Sequence, residues 1–365
     1  MSHHRDVSDG ISKSTSRSSG PTIREVAQRA GVSIKTVSRM LSGHQGVRDE
    51  TRKKIQKVMD GMEYYPSAAA RSLRGQKTGL VALIADKLTM TPDSFEIVKG
   101  VQSACDRHGK LLMIGETAGN PEVFGRLVVE FRRQRPEAVI TACIAPGEIA
   151  VEQTFSTCPL VLVNCFERED RYSTILPDDR TGAFEVTKHV LELGHRRIGH
   201  LGLLPEMIAT TLRLQGYIEA HNAMGVPVDD ALIRIGASQP VADEFVILPD
   251  ILKSLFALES PPTVLMCGND KMALRTLMLL NQMGLRVPED VSLVGFDDYQ
   301  LISENVLPSL TTVSLPYFEM GVRATEVALE GGNAGRVLIP CRVVPRKSVR
   351  PINSTVPAVS SGSSS

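Results

Sequence analysis

The chain has 365 residues, 41 of them basic and 41 acidic, so its net charge is zero. This length is too great for a single hydrophobic core, and we expect several domains. Residues 1–20 are polar and serine-rich, and residues 353–365 are also rich in serine. We expect disordered tails at both ends, with no signal peptide and no membrane anchor.

The positive charge is concentrated near the N-terminus. Residues 21–78 contain 12 lysines and arginines against five acidic residues, a net charge of +7, and residues 1–20 carry +1. Residues 79–365 therefore carry −8. A basic segment on an acidic body concentrates the affinity for phosphate in one part of the chain.

Two short helices joined by a tight turn are predicted in residues 22–41. Apolar residues at helical spacing between Ile23 and Ala30 form one face of the first helix. Gly31 would end that helix with a left-handed backbone, and Ser33 would cap the next. The pattern is typical of a helix-turn-helix DNA reader, and the alternative is an ordinary helical hairpin with a solvated charged face.

Two further helical segments follow. A third helix is predicted over residues 49–62, with an apolar face of Ile55, Val58, Met59 and Met62. After Pro66, an alanine-rich segment of about two turns is too short to be a stable helix alone in water. We expect it to order against a partner, and the alternative is a plain linker helix.

The remainder reads as an α/β domain. Apolar runs predict strands at 79–85, 111–115, 138–144, 160–164, 198–202, 263–267 and 291–296. Helices are predicted between them, for example over 95–108, 182–193 and 271–283. Alternating strands and helices favour parallel sheets, and about 285 residues favour two lobes.

Polar residues follow several of these strands, where ligands bind in open parallel sheets. They are Asp178, Asp179, Arg213, Asn269, Asp270, Asp297 and Asp298. Helix capping competes with ligand binding at each aspartate. We expect capping at Asp270 and Asp298 and ligand contact at Arg213 and Asp297, and the pattern leaves Asp178 open. Because the chain lacks tryptophan, a stacking surface must come from Phe or Tyr, with Phe166 a candidate.

Three motifs together resemble the lac/galactose repressor family of bacterial regulators. They are Thr22-Ile-x-x-Val-Ala-x-x-Ala-Gly-Val-Ser-x-x-Thr-Val-Ser-Arg39, Thr51-Arg52, and Tyr65-Pro-x-x-x-Ala-Arg-x-Leu73. The resemblance extends from about Thr22 to Arg350. It implies a helix-turn-helix domain over 21–65, a hinge helix and linker over 66–78, and an effector-binding and dimerisation domain over 79–352.

The resemblance also implies which residues contact DNA. Ile34, Lys35 and Arg39 would read bases in the major groove, where lysine and arginine suit guanine and an aliphatic chain suits a thymine methyl. Leu73, with Ala70 and Arg71, would enter the minor groove at the centre of a palindromic site and kink it. Contacts to the DNA backbone are expected from Thr22, Ser33, Thr36 and Ser38. Two hinge helices side by side would require a homodimer.

For the effector domain, the resemblance implies the two-lobed fold of periplasmic sugar-binding proteins, in which the chain crosses between lobes three times. Lobe 1 would comprise about 79–178 and 315–342, and lobe 2 about 179–314 and 343–352. Arg213, in Arg-x-x-Gly-Tyr, and Asp297, in Gly-Phe-Asp-Asp, would contact the effector, as would Asn269. The loop from Met90 to Phe95 would supply contacts from lobe 1.

Other chemistry is not expected. His189, His195 and His200 lack the spacing of a helical metal pair, so a structural role is favoured for His195. Six scattered cysteines without Cys-x-x-Cys favour reduced core thiols, with redox sensing by Cys158 or Cys165 the alternative. No catalytic motif, metal site or cofactor site is predicted. The C-terminal heptads by which family members form tetramers are missing, which favours a dimer.

The sequence therefore predicts a cytoplasmic, nucleoid-associated regulator that is not an enzyme. It would be a repressor of a catabolic operon, and a sugar or sugar derivative between the lobes would control its affinity for DNA. A transport receptor would need a signal peptide and no basic segment. A sugar-processing enzyme fused to a DNA-binding domain would need catalytic residues that the sequence does not suggest.

Overall fold

A computed structural model describes residues 21–42, 44–65, 77–87, 93–143, 147–149, 158–238 and 243–352. The chain divides into two compact units, residues 1–78 and 79–365. The expected terminal tails, the segment 66–76 that holds the expected hinge helix, and most of the loop expected at 90–95 lie outside the described residues.

The described part of the first unit contains three helices, α1 (Ile23–Ala30), α2 (Ile34–Leu41) and α3 (Asp49–Gly61), close to the predicted bounds. The three helices share one hydrophobic core, which buries the predicted Ile55 and Met59 but leaves the predicted Val58 and Met62 half-buried at its edge. Its members are Val26, Ala27, Ala30, Val37, Met40, Val47, Ile55, Met59 and Tyr64. This core is small, so a few buried side chains fix the angle between α1 and α2.

Lobe 1 of the second unit is built on a six-stranded parallel sheet of order β11-β5-β4-β3-β1-β2. Its strands are β1 (Leu80–Ala85), β2 (Leu111–Glu116), β3 (Ala138–Ala142), β4 (Leu160–Val163), β5 (Ser173–Pro177) and β11 (Arg336–Ile339). Every residue of β1, β3 and β4 is buried, as expected of strands covered on both faces.

Helices cover both faces of this sheet. They are α4 (Asp93–Arg107), α5 (Pro121–Gln134) and α11 (Tyr317–Leu329). The inward face of α4 contains Ile97, Val101 and Cys105, which are buried in one cluster with residues of α11. On the other face, Val128 and Phe131 of α5 pack against the sheet in a second cluster.

Lobe 2 contains a four-stranded parallel sheet of order β7-β6-β8-β9. Its strands are β6 (Ile198–Gly202), β7 (Ile233–Ile235), β8 (Val264–Cys267) and β9 (Ser292–Val294). The helices are α6 (Asp179–Glu192), α7 (Ile208–Ala223), α8 (Leu248–Phe256), α9 (Asp270–Gln282) and the short α10 (Gln300–Ser303), with a 3-10 turn at Asp230–Leu232. The predicted alternation of strands and helices in two lobes is confirmed.

The chain passes between the two sheets at three places. It leaves β5 for α6, returns through β10 (Thr312–Ser314) to α11, and leaves β11 for β12 (Arg342–Val344). Strands β10 and β12 pair antiparallel in a separate two-stranded sheet. The sequence analysis predicts neither strand. These passages connect the lobes at the carboxyl ends of β5 and β11.

Helices α6 and α7 approach each other closely, and Gly216 of α7 makes this possible. A Cβ at Gly216 would lie 2.2 Å from the carbonyl oxygen of Arg180 and 2.7 Å from the backbone nitrogen of Phe184. Both atoms belong to the backbone of α6, so the clash cannot be relieved by rotating a side chain. The glycine is therefore required for this packing.

Within the described residues, no helix is both long enough and apolar enough to cross a membrane.

We expect Gly216→Ala to destabilise the second unit by about 3 kcal/mol or more, because the added methyl group forces two helix backbones apart. Gly125→Ala in α5 is the matched control. A Cβ there meets no atom within 4 Å, so this substitution should stabilise the helix by up to about 1 kcal/mol. Urea unfolding of both variants measures the difference, and equal effects would contradict the close-packing argument.

Candidate DNA interface and effector site

The second helix of the N-terminal unit begins at a defined cap. The Ser33 hydroxyl accepts a hydrogen bond from the backbone N–H of Thr36 at 3.1 Å. Gly31 closes the first helix in the left-handed region at φ 62°. Both predicted signals are thus present, and together they produce the turn between α1 and α2.

The side chains predicted to read bases all lie on the solvent side of α2. Ile34 is 44% exposed, although it is a large apolar residue. Lys35 and Arg39 are exposed and one helical turn apart, so they lie along the same side. Val37 on the opposite side is fully buried. The helix thus presents two cations and one aliphatic side chain to solvent while its other face holds the core.

Two of the residues predicted to contact the DNA backbone act as helix caps. Thr22 forms a reciprocal capping box with Glu25, in which the Thr22 N–H donates to the Glu25 carboxylate at 2.7 Å. The hydroxyls of Ser33 and Thr36 lie 2.9 Å apart and bond each other. Ser38 is half-buried on α2. These side chains hold the helix N-termini in place, and such termini attract phosphate.

The three residues predicted to enter the minor groove, Ala70, Arg71 and Leu73, lie outside the described residues.

In lobe 2, Arg213 is the centre of a buried charged cluster. Its Nε and Nη2 both lie 2.8 Å from the Asp179 carboxylate, and its Nη1 donates to the carbonyl oxygen of Gly268. Asp297 lies 3.8 Å from Nη2. The guanidinium also stacks 3.7 Å from the ring centre of Phe296. The predicted pair of Arg213 and Asp297 is therefore brought together at the carboxyl ends of the strands.

Burial works against the charge of Arg213, but the two carboxylates outweigh it. Desolvation lowers the pKa of Arg213, whereas Asp179 and Asp297 raise it, and the net shift is upward. The side chain of Asp179 is 1% exposed and that of Asp297 is 15% exposed. Of the two carboxylates, Asp297 is thus the one that solvent or a ligand can reach.

Local geometry fixes the position of Asp297. Its backbone has φ 119°, which is unusual for a residue other than glycine. Its N–H donates to the carbonyl of Val313 at 2.8 Å, and it forms a bridge with Ser314 of β10. The carboxylate therefore stands on backbone that is paired directly with one of the strands that cross between the lobes.

Asn269 and Asp178 both act as caps. The Asn269 side chain accepts from the N–H of Met272 at 2.8 Å at the start of α9. Asp178 accepts from the N–H of Thr181 at 3.1 Å at the start of α6. This bond uses one carboxylate oxygen of Asp178, so capping does not exclude contact with an effector, which stays a prediction.

The prediction that Asp270 and Asp298 are caps is wrong. Asn269 caps α9, and the adjacent Asp270 turns its carboxylate to the Thr312 hydroxyl at 2.6 Å and the Tyr299 N–H at 2.8 Å. Asp298 pairs with Arg346 at 2.8 Å, and α10 has no side-chain cap. Burial raises the pKa of Asp270 to about 7. Both carboxylates tie the loop after β9 to neighbouring strands.

Phe166 lies apart from the Arg213 cluster in the described structure. It follows β4 in lobe 1, where its backbone pairs with residues 147–149. The guanidinium carbon of Arg336 lies over its ring, 5.2 Å from the ring centre. The aromatic surface predicted for an effector is therefore partly occupied by a cation from β11.

A cavity of about 530 Å³ contains Asp297 and brings in residues that sequence reasoning missed. They include Tyr299 before α10 and Tyr317 and Phe318 of α11. Phe95 of α4, the last residue of the loop expected to supply contacts from lobe 1, also lines the cavity. The cavity therefore has walls from both lobes, and its volume lies in the range of small-ligand sites. Tyr317 acts electrostatically on Arg213. No spacing rule would have connected α4 with α11, which lie about 220 residues apart.

A second cavity of about 510 Å³ lies at the carboxyl ends of β1, β2 and β3 in lobe 1. Asp86, Lys87, Thr117, Asn120 and Cys143 are among its lining residues. It provides carboxylate, ammonium, hydroxyl and amide groups on an otherwise apolar wall.

The structural role predicted for His195 is confirmed. Its ring nitrogens bond the Thr263 hydroxyl at 2.9 Å and the Arg350 carbonyl at 3.0 Å, and the side chain is buried. Among the described residues, no group of three His, Cys, Asp or Glu side chains could hold a metal ion.

Comparisons with known proteins agree with this arrangement. Residues 22–67 match the model of bacterial regulatory proteins of the lacI family, and residues 187–349 match the periplasmic binding protein-like domain. The chain is 30% identical over 346 residues to the HTH-type transcriptional repressor CytR of Escherichia coli K12, covering 93% of this chain and 99% of that protein.

Two solved structures extend the likeness to three dimensions. The lac repressor dimer bound to operator and the anti-inducer ONPF is 25% identical with a TM-score of 0.75, and the alignment covers 91% of this chain and all of that one. The complex of the transcriptional regulator CelR with cellobiose is 26% identical with a TM-score of 0.61, covering 90% and 99%.

Proposed function

We propose that this chain, which belongs to the lacI family of bacterial regulatory proteins, is a repressor that binds a palindromic operator as a dimer under the control of a small effector. The carrying observation is the Arg213–Asp297 pair, which stands at strand ends in the same chain as the exposed reading face of α2. The Arg213–Asp297 pair suits the binding of a small ligand, and the exposed face of α2 suits the binding of DNA.

Each half of the operator would be read by one α2 helix. Lys35 and Arg39 would donate to guanine O6 and N7, and Ile34 would meet a thymine methyl group. We propose Thr22, Ser33, Thr36 and Ser38 as contacts to the DNA backbone. The hydrogen bonds of the first three lie at helix N-termini, where phosphate binds, and Ser38 is proposed from the family resemblance alone. Leu73, flanked by Ala70 and Arg71, would wedge into the minor groove at the centre of the site.

The dimer is proposed on two grounds. A palindromic site needs two reading helices related by a two-fold axis, as in the lac repressor dimer on its operator. In the second unit the large apolar side chains of Leu111, Ile114 and Leu307 are exposed by 65%, 47% and 88%. A protein–protein interface would remove such surface from water.

The effector would bind between the two lobes. Lobe 1 would comprise about 79–178 and 315–342, and lobe 2 about 179–314 and 343–352. We propose a sugar or sugar derivative as the effector. Its hydroxyl groups can donate to the Asp297 carboxylate, and the face of its ring can stack on Tyr317 or Phe318. A cellobiose complex of a similar protein supports this class. Secondary contacts to the effector would come from Asn269, Asp178 and Phe166.

Coupling from effector to DNA would pass through the crossing strands. A ligand that donates hydrogen bonds to the Asp297 carboxylate acts on a residue whose backbone is paired with Val313 and Ser314 in β10. A change in lobe closure would thereby alter the spacing of the two hinge segments in the dimer, and with it the operator affinity.

The remaining elements of the proposal concern context. The relatives are transcriptional repressors, and we propose that this chain likewise performs no catalysis and needs no cofactor. We place it in the bacterial cytoplasm on the nucleoid, where it would control a catabolic operon. An enzyme would require a reactive nucleophile or acid–base pair at the cavity, whereas Asp297 is held beside the guanidinium of Arg213.

We expect Arg39→Ala to relax base choice at one position in each half-site, because the arginine provides a directional pair of donors. Arg29→Ala in the last turn of α1 is the control, since it removes the same charge away from the reading face. Selection of bound sequences from a random DNA pool measures the base preferences of both variants. An unchanged consensus for Arg39→Ala would rule out base reading by this residue.

We expect Leu73→Ala to weaken operator binding at least tenfold while binding to random DNA stays near normal, since only the specific complex would contain the kinked base step. Ser72→Ala changes the neighbouring residue without removing a large apolar group and serves as the control. Binding titrations with operator DNA and with random DNA at one salt concentration measure both affinities. Equal losses of affinity for the two DNAs would exclude the insertion of Leu73 into the minor groove.

A thermal-shift screen with sugars, including sucrose and cellobiose, sugar acids and purines should identify an effector, because a ligand of the folded state raises its melting temperature. We expect Asp297→Asn to bind operator normally and to lose the response to the hit. Asp290→Asn, at the opposite end of β9 and in an exposed pair with Arg286, is the matched control.

Arg213→Ala should also bind operator without responding to the effector, but it leaves the buried Asp179 unpaired, so its folding must be checked alongside. A full effector response in folded Asp297→Asn or Arg213→Ala would place the effector elsewhere.

A further inference from the structure

Two thiols meet at the ends of neighbouring strands in lobe 1. Cys143 directly follows β3, and Cys165 lies two residues after the end of β4. These strands pair with Ala142 opposite Val163. The backbone N–H of Cys143 donates to the carbonyl of Val163 at 3.0 Å, and the side-chain amide of Asn164 donates from Nδ2 to the carbonyl of Cys143 at 3.0 Å. The two cysteines therefore stand on adjacent, hydrogen-bonded backbone.

The side chains also meet. Asn164 has a left-handed backbone with φ 54°, which breaks the strand alternation immediately before Cys165. Cys143 and Cys165 belong to one side-chain cluster, and Cys143 lies near enough to contribute to the raised pKa of Cys165. The Cys165 sulfur lies 3.7 Å from the carbonyl oxygen of Thr141. Adjacent strands lie about 4.8 Å apart, within the range of Cα separations that a disulfide spans.

The two thiols differ in access. Cys143 is partly exposed and lines the 510 Å³ cavity of lobe 1, whereas Cys165 is fully buried. Burial raises the pKa of Cys165 well above its ordinary range. A reagent from solvent would thus meet Cys143 first, and Cys165 would react only with a sulfur already beside it.

We propose that Cys143 and Cys165 form a reversible disulfide when the protein meets a low-molecular-weight disulfide. The Cys143 thiolate attacks one sulfur of the reagent R–S–S–R, forms a mixed disulfide and releases the first thiol. Cys165 then loses its proton and attacks the Cys143 sulfur, which releases the second thiol. The two cysteines lose two electrons and two protons in total, and the reagent is reduced to two thiols.

Cys158 is not a partner in this reaction, although it packs against the same core cluster. It precedes β4, whereas Cys143 and Cys165 follow β3 and β4, and the strands are parallel. The four-residue length of β4 therefore separates Cys158 from the pair by about 13 Å. The redox alternative raised for Cys158 and Cys165 is thus replaced by a pair containing Cys143.

The bond would act on the wall of a ligand-sized cavity. Linking Cys143 to Cys165 ties the ends of β3 and β4 together and withdraws the Cys143 sulfhydryl from the cavity lining. It would also restrict the unfolded chain, so the oxidised protein should have a higher unfolding midpoint than the reduced one.

The test uses the folded full-length protein with oxidised glutathione. After quenching with N-ethylmaleimide in denaturant, unreduced peptides are mapped by mass spectrometry. Cleavage after glutamate and after leucine or aromatic residues separates the three cysteines. We expect a peptide linking Cys143 to Cys165, the loss of two of the six thiols, and their return with dithiothreitol.

Two variants distinguish the mechanism from general thiol oxidation. Cys165→Ser should accumulate glutathione on Cys143, because the second attack is removed. Cys158→Ser, which alters a partly exposed thiol of the same cluster, should still form the link. If the wild-type protein keeps all six thiols, stops at the mixed disulfide, or links Cys143 to Cys158, the proposal is wrong. The mapping of the wild-type protein decides this even if a variant does not fold.

Discussion

The buried guanidinium of Arg213 is the constraint on which lobe 2 depends. An unpaired charge at such a site would cost several kcal/mol, so its carboxylate partners must be in place whenever the lobe is folded. Asp179 comes from the start of α6 and Asp297 from the loop after β9. Gly216, one turn beyond Arg213, lets the backbones of α6 and α7 approach closely enough for this contact. One ion cluster thus fixes two helices and a loop.

This constraint also separates what the sequence can predict from what it cannot. Arg213 and Gly216 form a local motif, and their spacing has a physical reason that can be read directly. The partner Asp179 stands 34 residues away and fits a capping pattern equally well. The same holds for Asp270, which looks like a cap beside Asn269 but bonds Thr312, 42 residues later. Long-range pairs of this kind leave no periodic signal.

The fold follows the same division. Long apolar runs such as β1 and amphipathic helices such as α4 are predicted correctly, because burial on one or both faces imposes a period on many residues. Strands β7, β10 and β12 are three residues each, too short to carry any period. Yet β10 and β12 form the passages between the lobes. Sequence therefore identifies the cores better than the connections on which a change in lobe closure would depend.

Asp297 joins these two parts of the molecule. Two carboxylates surround one guanidinium, so the cluster carries more negative than positive charge, and Asp297 is the more distant and more exposed partner. A ligand that donates hydrogen bonds can relieve this excess, whereas an anion would add to it. Because the backbone of Asp297 is paired with β10, a shift of this one residue must be accommodated by a strand that connects the lobes. If the effector binds at Asp297 as proposed, ligand binding and lobe geometry would therefore meet at the same peptide units.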